Sequence, residues 1–411
     1  MPDGLPSLVD PDLYARGDPH AVWRALRRSA PVFRHDRPGE PGFWAVTSHA
    51  VGHEVLTDWR RFTSTRGTFL RPDPSEPYPG AGKLMVMMDP PRHDAVRRAA
   101  STLFTVPAAA AVEEEARTLV RTLIERVLQA GECDFATDVA ERIPLALSAG
   151  ILGVPAADVE WLGEATSTAA HHAQDVGGAT AQEAHYQVLG YYLDVLERRR
   201  AQPGSDLTSV LLELQRREPE AITDEEIVLT CDNVLVAASE TTRNVAASGL
   251  VALLEHPAQW QALVKGRVSF KTAVEELLRW SPPVLHTLRT CVADTELTGV
   301  PLAAGDPVVV WTGALNRDEA VFEDPDVFRI DRRPNRHLSF GAGAHFCLGA
   351  PLARLILRVL FQELAERTPR IELAGPPQRL ASYVLGGFSS VPVRVASGAA
   401  PHRTRREEVG P

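Results

Sequence analysis

The sequence of 411 residues predicts a mainly α-helical protein of the α+β class. Helical periodicity recurs through most of the chain, whereas the alternating runs that are typical of strands are short and scattered. One segment, from a capping box at Thr223 to Glu255, predicts a helix of about 30 residues that is apolar on most faces. Because such a helix is normally buried, we expect it to cross the middle of the protein.

The N-terminal part of the chain predicts a small sheet and a long loop. Apolar residues alternate around Phe33 and over residues 43–46, and the turn-forming residues 37–39 separate the two runs. Residues 71–83 are dense in proline and glycine, so they predict a loop of the kind that often lines enzyme sites. Asp89 precedes two prolines, which predicts the start of a helix with Asp89 as its cap.

Helices dominate the rest of the chain. A turn at 171–180 separates two of them, and the pair His256-Pro257 ends the long helix. Residues 284–313 predict short strands, and residues 316–345 are irregular. The other helices are predicted at about residues 109–130, 156–171, 181–201, 207–217, 271–280 and 348–366.

Composition excludes several classes of protein. With 43 basic and 53 acidic residues the net charge is −10, which argues against a general nucleic-acid-binding protein. The sequence contains neither a signal peptide's apolar core nor an uncharged apolar stretch of about 18–20 residues, so we expect a cytoplasmic protein without a membrane span.

We expect residues 1–396 to form one domain and residues 397–411 to be a disordered tail. The cysteines form no CxxC pair, which argues against disulfides and structural zinc; they are Cys133, Cys231, Cys291 and Cys347.

The segment 340–354 gives the strongest indication of chemistry. Cys347 lies between Gly343 and Gly349, immediately before a predicted helix. Glycines allow the backbone to approach a flat group closely, and the amides and dipole of a helix N-terminus stabilise a thiolate. A thiolate held in this way suits axial ligation of haem iron; the alternative is a buried, inert cysteine. A dinucleotide fingerprint is excluded because Phe346 stands where its third glycine should be.

The spacing of Phe340, Gly343, Cys347 and Gly349 resembles the haem-binding signature FxxGxxxCxG of the cytochrome P450 family. Three further motifs follow the order of that family, so the resemblance covers nearly the whole chain. It implies a single domain with the cytochrome P450 fold, in which haem b lies between the long central helix and the helix after the Cys347 loop. It also implies that Cys347 is the axial ligand of the haem iron. Further cofactor contacts are implied for Phe340, Gly341, Gly349 and Ala237.

The first further motif is Glu276 with Arg279, an i, i+3 pair on one helix face. It resembles the ExxR motif of the family, where the pair has a structural role. The arginine that usually completes the network precedes a phenylalanine, and here Val327 occupies that position. We therefore expect Arg329 or Arg332 to complete it.

The second motif lies at the centre of the long helix. Polar groups in a buried helix are costly unless they are used or paired, and 3–4 spacing places several on one face: Asn233, Ala237, Glu240, Thr241 and Asn244. The resemblance implies that Thr241 hydrogen-bonds dioxygen and a nearby water, while Glu240 relays protons from solvent. The alternative is that the hydroxyl bonds back to its own helix.

The third motif pairs His93 with Arg97 at i, i+4, a spacing that could clamp a carboxylate or form a solvated basic face. The resemblance implies that the pair binds a haem propionate. Arg289 and His345 resemble the remaining propionate partners, with His337 as a weaker candidate. Arginine suits this role because its guanidinium binds carboxylates through two parallel hydrogen bonds.

Taken together, these motifs imply a haem-thiolate monooxygenase that hydroxylates or epoxidises a small organic substrate, and we expect a polyketide or peptide natural product. Oxidative ring closure or coupling without oxygen insertion is one alternative, and a non-catalytic haem sensor is another. By analogy with the family, the substrate pocket is lined by Phe69, Leu70, Leu84, Val86, Asn233, Val236, Leu285, Leu288 and Phe388.

Electrons must come from other proteins, because the sequence contains no flavin- or nicotinamide-binding segment. The resemblance implies a ferredoxin and a ferredoxin reductase as partners of a monomeric enzyme. We expect a basic face for an acidic ferredoxin, formed by Arg92, Arg97, Arg98, Arg354 and Arg358.

Overall fold

A computed structural model of the chain describes residues 5–37, 39–71, 78, 80–172, 179–368 and 370–395. The helices are α1 (Pro11–Ala15), α2 (Pro19–Ser29), α3 (His49–Thr57), α4 (Arg92–Ser101), α5 (Val106–Ala111), α6 (Glu113–Ala130), α7 (Arg142–Leu152), α8 (Val159–His172), α9 (Ala179–Ala201), α10 (Leu207–Arg217), α11 (Asp224–Glu255), α12 (Pro257–Val264), α13 (Phe270–Trp280), α14 (Thr312–Leu315) and α15 (Ala350–Arg367). The strands are β1 (Val32–Arg37), β2 (Glu40–Val46), β3 (Phe62–Thr63), β4 (Glu132–Asp134), β5 (His286–Cys291), β6 (Thr295–Leu297), β7 (Val300–Leu302), β8 (Pro307–Trp311), β9 (Ile371–Leu373), β10 (Gln378–Arg379), β11 (Phe388–Ser390) and β12 (Pro392–Val395). The predicted tail at 397–411, much of the predicted loop at 71–83 and most of the predicted turn at 171–180 lie outside the described residues.

The long helix predicted for the centre of the protein is α11, and both of its predicted ends are confirmed. The N–H of Glu226 donates to Thr223 Oγ1 over 3.4 Å, and the N–H of Thr223 donates to Glu226 Oε2 over 2.8 Å, which completes the capping box. The helix packs against α7, α9 and α13 and ends before His256. Residues 242–253 are all buried, as expected for a helix that crosses the core.

The predicted small sheets are also confirmed. The largest has the strand order β1-β2-β8-β5-β3, in which β2 and β8 run parallel and the other neighbours are antiparallel. Smaller sheets have the orders β4-β12-β9, β6-β7 and β10-β11. In the five-stranded sheet Arg289 of β5 pairs with Val308 of β8, which fixes the arginine at the centre of a rigid element.

The loop before α15 lies where three groups of buried apolar side chains meet. One group surrounds α6, α13, α15 and the C-terminal half of α11; a second covers the five-stranded sheet; a third joins α9 and α10 to the N-terminal half of α11. Cys347 packs against the first group, Ala342 against the second and Leu348 against the third. This loop is therefore supported from three sides.

Several short elements were not predicted. The helices α1, α3 and α12 span only 5, 9 and 8 residues, too few for apolar periodicity to stand out. The 11 residues of α7 are nearly all apolar, so they show no amphipathic stripe. The helix predicted at 109–130 is divided into α5 and α6 at Val112. The prediction that Asp89 caps α4 is wrong, because the helix begins after Pro91 and the Asp89 carboxylate accepts hydrogen bonds from the β3 segment instead.

Two expectations that concern the whole chain can be compared with the described residues. The four cysteines are all free thiols, as their spacing predicts. In the described ranges, no helix combines the length and the apolar character that crossing a bilayer requires.

Candidate active site

The backbone around Cys347 forms a tight loop that ends at the start of α15. The N–H of Cys347 donates to the carbonyl of Phe340 over 2.8 Å, which closes the loop. Gly341 and Gly343 have φ angles of 69° and 68°, a region that glycine favours. A Cβ on Gly343 would lie 2.9 Å from backbone atoms of Leu56 and its neighbour at the end of α3, so glycine is required there by packing as well.

The thiol of Cys347 experiences two opposing effects. Burial raises its pKa, and this is the larger effect. The N–H groups of Gly349 and Ala350 and the guanidinium of Arg97 act in the opposite direction. The helix start therefore contributes as the sequence predicts, but it does not by itself make the thiolate the favoured form. A metal cation bound to the sulfur would make the thiolate the favoured form, since a coordinating thiol is deprotonated by its metal.

A cluster of cationic and imidazole side chains lies beside this loop. Arg289 is 3% exposed, and its Nη1 donates to the carbonyl of Leu288 over 2.8 Å. Within the described ranges it forms no ion pair, and burial lowers its pKa to about 10 although Asp89 acts in the opposite direction. The rings of His93 and His345 lie next to each other, with centroids 4.4 Å apart. A buried guanidinium without a carboxylate partner is costly, so this cluster fits an anionic group such as a haem propionate.

Two polar residues of the same cluster, Ser64 and Asp89, were not identified from the sequence. Ser64 Oγ lies 3.1 Å from His345 Nε2, and the N–H of Ser64 donates to Asp89 Oδ1 over 3.1 Å. Thr63 Oγ1 also donates to Asp89. Since β3 has only two residues and lies far from the other motifs in sequence, no local pattern indicates this contact.

The centre of α11 places Ala237, Glu240 and Thr241 on one face, as predicted. Thr241 Oγ1 donates to the carbonyl of Ala237 over 2.7 Å, which is the back-bonded arrangement that the sequence left open. Glu240 turns towards Arg243, with Oε2 and Nη1 3.5 Å apart. The methyl group of Ala237 is exposed, so this face of the helix borders open space near its middle.

The ExxR pair is fully buried and lies at the centre of a hydrogen-bond network. Glu276 and Arg279 are both 0% exposed, and they are joined by two hydrogen bonds of 2.7 and 2.8 Å. Arg332 Nε lies 3.2 and 3.3 Å from the two oxygens of Glu276. Asn335 Nδ2 donates to the same carboxylate over 3.1 Å. Of the two predicted candidates, Arg332 therefore completes the network with its side chain, whereas Arg329 contributes its backbone N–H.

The predicted substrate residues fall into two sets. Leu70, Leu285 and Leu288 are buried in the apolar group that covers the five-stranded sheet, and Phe69 packs edge-on against the ring of His286 in β5. The others are partly exposed; they are Leu84, Val86, Asn233, Val236 and Phe388. The second set is free to contact a ligand without a change in the core.

The predicted basic face is largely neutralised. Arg354 forms two hydrogen bonds with Glu275, and Arg358 forms two with Glu113. Arg92 pairs with Glu226 at the start of α11, and Arg97 donates to the carbonyl of Phe346. Arg98 is exposed and forms no ion pair within the described ranges. Three of the five arginines of the expected basic face are therefore paired with glutamates, so the face carries less free positive charge than expected. His337, the weaker propionate candidate, lies 3.1 Å from Glu275 Oε2 instead.

Known proteins with similar sequences are cytochrome P450s. The family model described as Cytochrome P450 matches residues 178–265 and 270–367. "Putative cytochrome P450 126" of Mycobacterium tuberculosis (strain ATCC 25618 / H37Rv) is 36% identical over 404 residues, which cover 95% of this chain and 97% of the relative. Steroid C26-monooxygenase of Mycolicibacterium smegmatis is 36% identical over 402 residues, which cover 96% of each chain.

The solved structures support the same relationship. The P450 OxyD, described as involved in the biosynthesis of vancomycin-type antibiotics, is 38% identical and superposes with a TM-score of 0.86. The match covers 95% of this chain and 100% of OxyD. The predicted helix-rich fold is thereby confirmed in its order of elements, with a long central helix and a cysteine loop before α15.

Proposed function

Since the chain belongs to the cytochrome P450 family and is a P450 monooxygenase, we propose that it activates dioxygen to hydroxylate or epoxidise a small organic substrate. The observation that carries this proposal is the buried guanidinium of Arg289 beside the Cys347 loop, which forms no ion pair with any residue that the structure describes. Cys347 offers a soft sulfur ligand, and Arg289 offers a site for a carboxylate. Haem b carries both complementary groups, an iron and two propionates, and we propose it as the form of the family's haem-thiolate cofactor.

The residues that would hold haem b come from four separate elements. Cys347 would supply a thiolate ligand to the iron from the loop before α15. Arg97 and His93 of α4, Arg289 of β5 and His345 would bind the propionates through charge-assisted hydrogen bonds. The small side chain of Ala237 would allow α11 to approach the opposite face.

When bound, the haem supplies the activation of dioxygen, and the chain supplies position and protons. We propose that the Thr241 hydroxyl leaves the carbonyl of Ala237 and donates into the open space beside α11. Glu240 then delivers protons to it from solvent. The back-bonded hydroxyl is a resting arrangement in this proposal, because a 2.7 Å bond to its own helix competes with any ligand for the same proton.

The pocket residues indicate the substrate class. Leu84, Val86 and Val236 offer apolar surface, and the amide of Asn233 offers a single polar contact. A medium-sized, mainly apolar natural product, such as a polyketide or a modified peptide, suits this lining. Similar proteins include OxyD, involved in antibiotic biosynthesis, and a steroid C26-monooxygenase. Mass analysis of products formed under labelled dioxygen would separate oxygen insertion from oxidative ring closure or coupling.

For electron supply we propose a cytoplasmic ferredoxin and its reductase, with a monomeric enzyme as their acceptor. Arg98 on α4 is the exposed cation best placed to attract an acidic ferredoxin, because Arg354 and Arg358 are already paired. Arg98→Glu should slow reduction by ferredoxin, and the effect should fade at high salt. The control is Arg16→Glu at the residue that follows α1, whose side chain is 83% exposed. Equal rates in the two variants would reject this docking surface.

The decisive experiment is the absorption spectrum of the reduced protein with carbon monoxide. We expect a strongly red-shifted Soret band in the wild type and its loss in Cys347→Ala. Cys133→Ala is the matched control, since Cys133 is also a partly buried free thiol but lies in β4. A well-folded protein that binds no haem, or a Cys347→Ala variant with an unchanged band, would contradict the proposal.

A further inference from the structure

A buried arginine links the acid of α11 to a second glutamate on another element. Arg243 lies one turn after Glu240, and its side chain is 3% exposed. Its Nη1 lies 3.5 Å from Glu240 Oε2, and its Nε lies 3.3 Å from Glu141 Oε2. Glu141 directly precedes α7, which packs against α11. A carboxylate on α11 and a carboxylate at the start of α7 therefore share one guanidinium.

Both contacts are long for an ion pair of this kind. Charge-assisted N–H···O bonds are about 2.7–2.9 Å long, and the Arg279–Glu276 pair reaches 2.7 and 2.8 Å. Arg243 therefore forms a close hydrogen bond with neither carboxylate. A displacement of under about 1 Å would give a close hydrogen bond to one of them and release the other.

Exposure decreases along this group from the surface inward. The side chain of Glu141 is 40% exposed, that of Glu240 is 12% exposed and that of Arg243 is 3% exposed. A guanidinium remains protonated throughout and accepts no proton, so Arg243 cannot pass a proton from one carboxylate to the other. It can only hold Glu240 or release it.

We propose that Glu141 is a positioning residue that competes for Arg243 and so determines how often Glu240 is free to serve Thr241. When Arg243 moves to Glu141, the Glu240 carboxylate takes a proton from solvent and turns towards the Thr241 hydroxyl. It donates that proton to the hydroxyl oxygen while the hydroxyl passes its own proton to an acceptor in the open space beside α11. Glu240 thereby returns as a carboxylate, and no electrons are exchanged in the step. The inference rests on the proposed role of Glu240 and adds the residue that controls it.

The first test is a crystal structure of the Glu141→Gln holoenzyme. Without the competing charge, Arg243 should move to Glu240, and the 3.5 Å separation should contract to about 2.8 Å. Glu125→Gln is the matched control, because Glu125 is a surface glutamate whose oxygen lies 4.0 Å from Arg367. An Arg243–Glu240 distance that is unchanged in Glu141→Gln would overturn the inference.

The second test measures reduction of dioxygen without any substrate. The holoenzyme is supplied with a surrogate ferredoxin, its reductase and NADPH, and the hydrogen peroxide formed per NADPH is recorded. Proton delivery favours water over peroxide, so Glu141→Gln should raise the peroxide share at least about threefold. Glu141→Asp, which retains the charge, should restore most of the wild-type ratio.

Dependence on Arg243 separates this role from a merely structural one. In Arg243→Met the hold on Glu240 is absent, so adding Glu141→Gln should change nothing further. Additive effects in the double variant would refute the inference. A wild-type holoenzyme that consumes no dioxygen would instead overturn the proposed function, and the distance in the Glu141→Gln crystal would still decide whether Arg243 is shared.

Discussion

Replacing Glu276 with glutamine should lower the free energy of unfolding more than any other single charge removal in the ExxR network. Its carboxylate accepts from Arg279, Arg332 and Asn335 and from the backbone N–H of Arg329. In Glu276→Gln two guanidiniums that are 0% and 3% exposed remain without their carboxylate. Breaking a buried pair in this way costs about 3–5 kcal/mol, out of a total stability of about 5–15 kcal/mol.

Urea unfolding followed by circular dichroism measures this cost. The matched control is Glu213→Gln: Glu213 and Arg216 have the same i, i+3 spacing and the same 2.7 and 2.8 Å bonds, but their side chains are 51% and 72% exposed. We expect no measurable change in the control, because exposed pairs of this kind contribute little. A loss below about 1 kcal/mol in Glu276→Gln, or equal losses in both variants, would refute the argument from burial.

Three further predictions concern single side chains. Thr241→Ala should leave the free energy of unfolding within about 0.5 kcal/mol in urea, because the hydroxyl only bonds back to its helix, yet it should raise the peroxide share in the dioxygen assay. Burial alone would raise the pKa of Glu275, but hydrogen bonds from His337 and Arg354 lower it to about 2. The stability that this carboxylate adds is therefore present above its usual pKa of 4.5 and is lost as the pH falls towards 2. Glu275→Gln should remove this pH dependence from the acid unfolding curve. Arg289→Met should speed haem loss to a scavenger protein about 10–100-fold, as the loss of one charged hydrogen bond of about 1.5–3 kcal/mol predicts.

Local patterns were sufficient for the longer helices and for the loop at Cys347, but not for several short elements. The capping box at Thr223 can be recognised from four consecutive residues. The long helix after it has apolar residues along its whole length. The loop at Cys347 is likewise local, since glycines and a cysteine within ten residues define it. The i, i+3 pair of Glu276 and Arg279 shares a helix face by geometry alone.

Contacts between distant segments could not be predicted in the same way. Asp89 was assigned to the cap of α4 because it stands next to the helix, whereas its partners lie 25 and 26 residues earlier in the chain. Arg332 reaches Glu276 across 56 residues, and no local pattern distinguishes it from Arg329. The neutralised arginines Arg354 and Arg358 were misjudged for the same reason, since their glutamates lie 79 and 245 residues away.

The two arginine–glutamate groups on α11 and α13 show how distance separates a structural ion pair from an adjustable one. Around Glu276 the contacts with Arg279 and Arg332 are buried, and the bonds to Arg279 are 2.7 and 2.8 Å long, so movement of any of these three side chains leaves a buried charge unpaired. Around Arg243 the contacts are 3.3 and 3.5 Å long, and one of the two glutamates reaches solvent. A carboxylate that must collect protons from water needs the second arrangement, because a close, buried pair would hold it as firmly as Glu276 is held.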